Sequence, residues 1–218
     1  MAERLAGEMC QNRKRLDRTF YMRDALSVAK DILGKYLVHD HVEGRTVGRI
    51  VETEAYLGAE DPASHAFGGK KTDRTSVQYD PGGRAYVYLI YGRYHCFNVV
   101  TGGKGEPESV FIRALEPIEG EELMKERRGL ENLSGTKMLE LTNGPGKLSM
   151  AMGIHKEDTG KDLCRDDLYV VEPSDPEKEK FEIGTGSRVN IDYAGEAKDR
   201  PWRFYVEGSE YLSKYDTV

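Results

Sequence analysis

The chain has 218 residues, 38% of them hydrophobic and 32% charged, with a formal net charge of -6. That length supports one substantial core, and the negative sum argues against a protein that binds nucleic acid through its overall charge. No stretch of eighteen apolar residues occurs, so no membrane span is expected, and three widely spaced cysteines, Cys10, Cys96 and Cys164, give neither a disulfide framework nor a Cys-x-x-Cys metal site.

Residues 1–15 are polar, lack the apolar core of a secretory signal, and read as a flexible tail ahead of a single intracellular domain over 16–218. Asp24 to Leu33 places Ala25, Leu26, Ala29, Ile32 and Leu33 on one helical face and stops at Gly34, which predicts a core-facing helix. Lys35 to His39 reads as a strand, 42–45 as a turn, and Val47 to Tyr56 as the partner strand. His39 and His41 are expected to face solvent. Residues 58–83 make a long connection rich in Gly, Asp and Lys, and connections of that length in a compact domain are usually functional or mobile.

The stretch from Tyr86 to Asn98 organises the rest. Tyr86, Tyr88 and Ile90 alternate with Val87, Leu89 and Tyr91, which predicts a strand with two distinct faces. Gly92 marks a turn, so Tyr91 falls at a strand tip where its ring can project as a wedge. Aromatic strands also serve ordinary cores, and this strand alone leaves both readings open. A turn at 102–105 leads into Val110 to Leu115, where Arg113 in apolar surroundings requires a carboxylate partner.

Pro117 to Arg128 reads as a helix, and Asn143-Gly144-Pro145-Gly146-Lys147 as the start of another, closed by Gly153. Free N–H groups beside Lys147 suit a phosphate, although a plainly capped helix is the commoner explanation. Glu172 to Lys180 reads as a charged surface loop, and Val189 to Ile191 and Trp202 to Val206 read as strands. From Ala66 to Arg113 seven basic residues face four acidic ones, whereas from Lys156 to Arg188 six face ten. Positive charge therefore gathers around the aromatic stretch.

Glu52 and Glu54 share a strand face. A glutamate beside Tyr56 and Arg113 can deprotonate a water, a task that contributes about 10²- to 10⁴-fold, but a structural Glu-Arg pair explains the same residues equally well. A metal-dependent hydrolase built on Glu52, Glu54 and His65 is a third reading. It lacks any specific ligand spacing, so no metal is expected. There is no Gly-x-Ser-x-Gly, and 102–105 is not a P-loop.

Taken together, several runs resemble the alkyladenine (3-methyladenine) DNA glycosylase family. They are Arg49-Ile50-Val51-Glu52-Thr53-Glu54-Ala55-Tyr56-Leu57-Gly58 with Glu60, Asp61 and His65, then Tyr86-Val87-Tyr88 with Tyr91-Gly92, Cys96 and Asn98. Arg113-Ala114-Leu115-Glu116-Pro117, Gly144-Pro145-Gly146-Lys147-Leu148 and Pro201-Trp202-Arg203-Phe204-Tyr205 complete the set, which runs from about Leu16 onward. The resemblance implies an α+β domain with a curved antiparallel sheet flanked by helices, of the kind also seen in formyltransferase C-terminal domains.

It further implies a monofunctional, cofactor-free monomer that flips damaged purines out of double-stranded DNA. Hydrolysis of the N-glycosidic bond would leave an abasic site for a downstream endonuclease, in the prokaryotic cytoplasm (nucleoid) or the eukaryotic nucleus. By position Glu54 resembles the general base, Arg113 the residue that holds it, and Val189 a backbone-carbonyl contact to the water. Tyr56, His65 and Tyr88 resemble the pocket for the flipped base, Asn98 the side chain that obstructs guanine, and Tyr91 the intercalating wedge. Arg93, Tyr94 and Lys147 are expected on the DNA-facing surface. Thr75, Gln78 and Arg93 depart from the family pattern, which puts the lesion range in doubt.

Overall fold

The computed structural model describes residues 13–173 and 180–213. A single helical turn, α1 (Arg18–Tyr21), precedes α2 (Ala25–Asp31). Asp24 caps α2 by accepting the Ser27 N–H at 2.9 Å, and Gly34 at φ 76° turns the chain into the sheet. Two hairpins follow, β1 (Tyr36–His41) with β2 (Gly44–Tyr56), and β3 (Ala85–Ile90) with β4 (Tyr94–Thr101). Then come β5 (Glu108–Glu119), helices α3 (Glu121–Arg128) and α4 (Pro145–Met152), and the short strands β6 (Leu168–Val171), β7 (Ile183–Gly186) and β8 (Arg203–Val206).

These strands form one antiparallel sheet in the order β3-β4-β5-β2-β1-β6, with β8 joined to β2 and β7. β2 is its trunk: β5 runs along one edge, while β1 and then β8 share the other. The register against β5 breaks at Val47/Gly48, Ile50/Glu52 and Glu52/Thr53, and bulges of this kind bend a sheet. The result is the single α+β domain with a curled antiparallel sheet that the resemblance implied.

The two-residue period gives the sheet two distinct faces. Ala85, Val87, Phe97, Val99, Val110, Ile112 and Ala55 enter the main core with the buried side of α2. Their alternates Tyr86, Asn98, Phe111 and Glu54 pair in one continuous row across β3, β4, β5 and β2. The long connection between β2 and β3 stays near the sheet through single 3-10 turns at Gly58–Glu60, Phe67–Gly69 and Ser76–Tyr79.

Several local expectations need correction. His39 is fully buried, not solvent-facing, because α4 ends against β1 and the Met152 carbonyl lies 2.8 Å from His39 Nδ1. Pro117 to Glu119 continue β5 instead of starting a helix. Pro117 sits opposite Gly48 at a register break, where a missing N–H is tolerated. Val189 to Ile191 form a bend with Asn190 at φ 57°, and the strand lies earlier, at β7. Residues 1–12 of the expected tail and 174–179 of the expected loop lie outside the described residues. Arg15 bridges to Val171 on β6 and stacks 3.6 Å above the Tyr169 ring, so ordered contacts begin before residue 16.

Candidate functional site

Arg113 is skipped in the register between β2 and β5, since Glu52 pairs with Ala114 and Thr53 with Ile112. That bulge sets its guanidinium between two carboxylates, with Nε 3.1 Å from Glu52 Oε1 and Nη1 3.2 Å from Glu54 Oε1. Glu52 also accepts from Arg203 Nη1 at 3.2 Å, the Ser213 N–H at 2.6 Å and the Ser213 hydroxyl at 2.9 Å. Glu54 accepts from the Val189 N–H at 2.7 Å and the Tyr56 hydroxyl at 2.8 Å. Both glutamates are fully buried, and Arg113 nearly so.

Burial alone would lower the proton affinity of Arg113, but Glu54 and Glu52 outweigh it and hold the guanidinium above its ordinary value. Burial, and then the Glu54 charge, push the Tyr56 phenol well up, so it stays protonated and donates. Val189 thus contacts Glu54 through its N–H, whereas the expectation concerned its carbonyl.

In front of this cluster lies an open pocket of about 310 Å³, solvent at its mouth included. Tyr56, His65, Gln78, Tyr86, Tyr88 and Asn98 line it, with Ala63, Ser64, Ser109 and Tyr193 around them. Glu54 lies behind Tyr56 and meets the pocket through that hydroxyl. The His65 ring stands edge-on to Tyr88, centroids 4.6 Å apart, and its Nδ1 is 2.8 Å from the Tyr86 hydroxyl. Arg74 Nε donates to that same hydroxyl at 3.3 Å.

All three groups are satisfied when Tyr86 donates to His65 Nδ1 and the histidine proton rests on Nε2. Burial, followed by the charge of Arg74, pushes the His65 pKa down to about 4, so the ring is neutral at neutral pH. The Asn98 amide donates to the Tyr86 and Cys96 carbonyls at 3.2 and 3.3 Å, which fixes its orientation. Burial pushes the Cys96 thiol up to about 11, and a thiol of that kind is a poor nucleophile.

The β3–β4 tip has the opposite character. Tyr91 is 83% exposed at φ 52°, followed by Gly92 at φ 65°. Arg93 lies 5.4 Å from the centroid of the Tyr94 ring, and Gly146 at the start of α4 packs so tightly on Tyr94 that a Cβ there would come within 2.9 Å. Lys147 is not a free cation in this arrangement. It pairs with Glu140, and its Nζ donates to Asn143 Oδ1 at 2.8 Å.

Among the described residues no three His, Cys, Asp or Glu side chains are placed to hold a metal. His65 bonds Tyr86 and does not converge with Glu52 and Glu54. The sequence reading also missed residues that shape the site. Arg188 is buried beneath Tyr56, 4.7 Å from its ring centroid, and grips Asp61 at 2.5 and 2.9 Å, which fixes the segment carrying Val189. Arg203 and Ser213 close the Glu52 end, and Gln78, Tyr86 and Tyr193 line the pocket. Of these, Tyr86 gives a signal by its alternation with Tyr88, Gln78 by its departure from the family pattern and Arg203 by its place in a resembling run, whereas Arg188, Ser213 and Tyr193 give none.

A family model for methylpurine-DNA glycosylase matches residues 19–210. A protein of Desulfitobacterium hafniense is 53% identical over 204 residues, covering 92% of this chain and 98% of that protein. One from Clostridium novyi is 50% identical over 92% of this chain and 99% of its own length, and one from Bacillus cereus 48% over 90% and 97%. Each of these relatives bears the name "Putative 3-methyladenine DNA glycosylase".

Proposed function

Because the chain belongs to the methylpurine-DNA glycosylase family, we propose that it removes alkylated or deaminated purines from double-stranded DNA by hydrolysing the N-glycosidic bond. The observation that carries this reading is Glu54, a buried carboxylate held from three sides directly behind an aromatic pocket. Its Oε1 is occupied by Arg113 and Val189, while Oε2, among the described residues, accepts from Tyr56 alone, which leaves a lone pair for a water.

In this mechanism the damaged nucleotide swings out of the duplex, and its base enters between Tyr56 and the His65–Tyr88 wall. Extrusion costs a few kcal/mol, and stacking worth about 1 to 3 kcal/mol per aromatic contact offsets it. Tyr91 fills the space left behind. Glu54 takes a proton from the water as its oxygen bonds to the sugar C1′, and the C1′–N bond breaks with its electron pair moving to the base. A methylated cationic purine leaves as a neutral molecule, and the neutral His65 spares it a like charge in the pocket.

The protein would act as a monomer without metal or cofactor, its abasic product passing to an endonuclease. Its compartment would be that of the DNA: the prokaryotic cytoplasm or the eukaryotic nucleus. 3-Methyladenine, 7-methylguanine, ethenoadenine and hypoxanthine are the lesions to test. The decisive experiment measures release of free base from such duplexes with EDTA present, for the chain as it stands and for Glu54→Gln. Release that survives EDTA and falls by about 10²- to 10⁴-fold in the variant is expected. Lesion binding with no release by either protein would instead describe a damage sensor, and loss of release on adding EDTA would restore the metal-dependent reading.

A further inference from the structure

Gln78 sits in the 3-10 turn Ser76–Tyr79, is 2% exposed and lines the pocket. Its Nε2 donates to the Ser109 hydroxyl oxygen at 3.4 Å, yet its carbonyl Oε1 is buried with no hydrogen-bond partner. Among the described residues it is the one pocket-lining side chain with such an orphaned polar atom. Buried amide groups are nearly always paired, because stripping them of water without a replacement is costly.

Among the described residues, three of the pocket's donors are already committed elsewhere. The Tyr56 hydroxyl serves Glu54, the Tyr86 hydroxyl serves His65, and the Asn98 amide serves two backbone carbonyls. An amide fixed at its Nε2 end by Ser109, with its carbonyl unpaired in the wall of the pocket, suits a donor that arrives from outside.

We propose that Gln78 determines specificity within this site, its carbonyl accepting a hydrogen bond from the pairing edge of the flipped purine. The proposal rests on the glycosylase reading above and narrows it. In the lesions named above, the N–H groups of the base lie at N1 and at amino substituents on C2 and C6, on the edge that faces the complementary strand. Inside a duplex that edge is turned to the complementary strand, so only an extruded base can present it to Gln78. Hypoxanthine offers its N1–H, 3-methyladenine its 6-amino group, and 7-methylguanine both kinds. 1,N6-Ethenoadenine offers none, because its added ring closes across N1 and the 6-nitrogen. The pocket therefore favours lesions that keep a pairing-edge N–H over those that have lost it.

The test compares single-turnover base release from hypoxanthine and ethenoadenine duplexes by the full chain, by Gln78→Met and by Gln78→Leu, with thermal melting of each protein. Either variant is expected to lose about tenfold on hypoxanthine and little on ethenoadenine. Its melting temperature should hold or rise, since an unpaired buried amide has been replaced by an apolar group. Equal losses on both lesions with a lower melting temperature would make Gln78 a structural residue and overturn the proposal. A larger loss on ethenoadenine would also overturn it, because the open end of the amide would then be its donor. If the unaltered chain releases no base from these duplexes or from methylated DNA, the glycosylase reading itself falls and this inference with it; release from methylated DNA but not from hypoxanthine duplexes overturns the inference alone. Release of both with uniform variant effects removes the inference alone.

Discussion

Glu52, Glu54 and Arg113 are sealed from solvent and bound to one another, whereas Tyr91 projects from the β3–β4 tip into water at an uncommon backbone angle. The first region holds its groups from many directions, as a reaction requires when a carboxylate must stay aimed while charge moves beside it. The second leaves a large ring without cover, as a probe requires when its partner has yet to arrive. On the proposed function, stability and chemistry are therefore coupled at one end of the site and separable at the other.

Removing Arg113 strikes the coupled end hardest. Arg113→Ala leaves two buried carboxylates short of a counter-charge and is expected to cost about 3–5 kcal/mol in urea unfolding, with base release lost as well. A variant of normal stability would mean that Glu52 and Glu54 are neutral or hydrated, and the comparison would fail. Tyr91→Ser tests the separable end. Unfolding should shift by less than about 0.5 kcal/mol, while release from duplexes drops roughly 10- to 100-fold and release from single strands much less. Equal losses on both substrates would remove the wedge.

A third test lies between the two regions, at His65. Its folded pKa of about 4 is below the ordinary 6.5, so between those values the unfolded chain binds the proton more readily. Stability should therefore decline as pH falls from about 6.5 to about 4 and level off below. His65→Gln should flatten that part of the profile measured by urea midpoints. A variant with an unchanged slope would show that His65 titrates normally in the folded protein.

The strands and Glu54 were legible because a two-residue period and short motifs are written in adjacent residues. The paired strands, the α2 stop at Gly34 and the exposed Tyr91 all follow from local chemistry. What escaped were contacts between distant parts of the chain. The Arg188–Asp61 pair joins residues 127 positions apart, and nothing near either one announces it. His39 misled because alternation gives its face of β1 without saying that the end of α4 covers it. Arg113 was readable as needing a carboxylate, but that it serves two depends on a bulge that no periodicity contains. Val189 read as a strand residue from its apolar neighbours, yet a bend with Asn190 at φ 57° presents its N–H to Glu54.

The partners of Glu52 also bear on the order of assembly during synthesis. Arg113 is 61 positions away in the chain, Arg203 is 151 and Ser213 is 161. A nascent chain that has emerged through β5 can form both hairpins and the aromatic wall, but it cannot yet enclose Glu52. That carboxylate must stay hydrated until the ribosome has delivered β8 and the turn after it, since closing so long a loop comes late in folding. The Tyr56, His65, Tyr86 and Tyr88 part of the wall is thus in place before Glu52 is sealed.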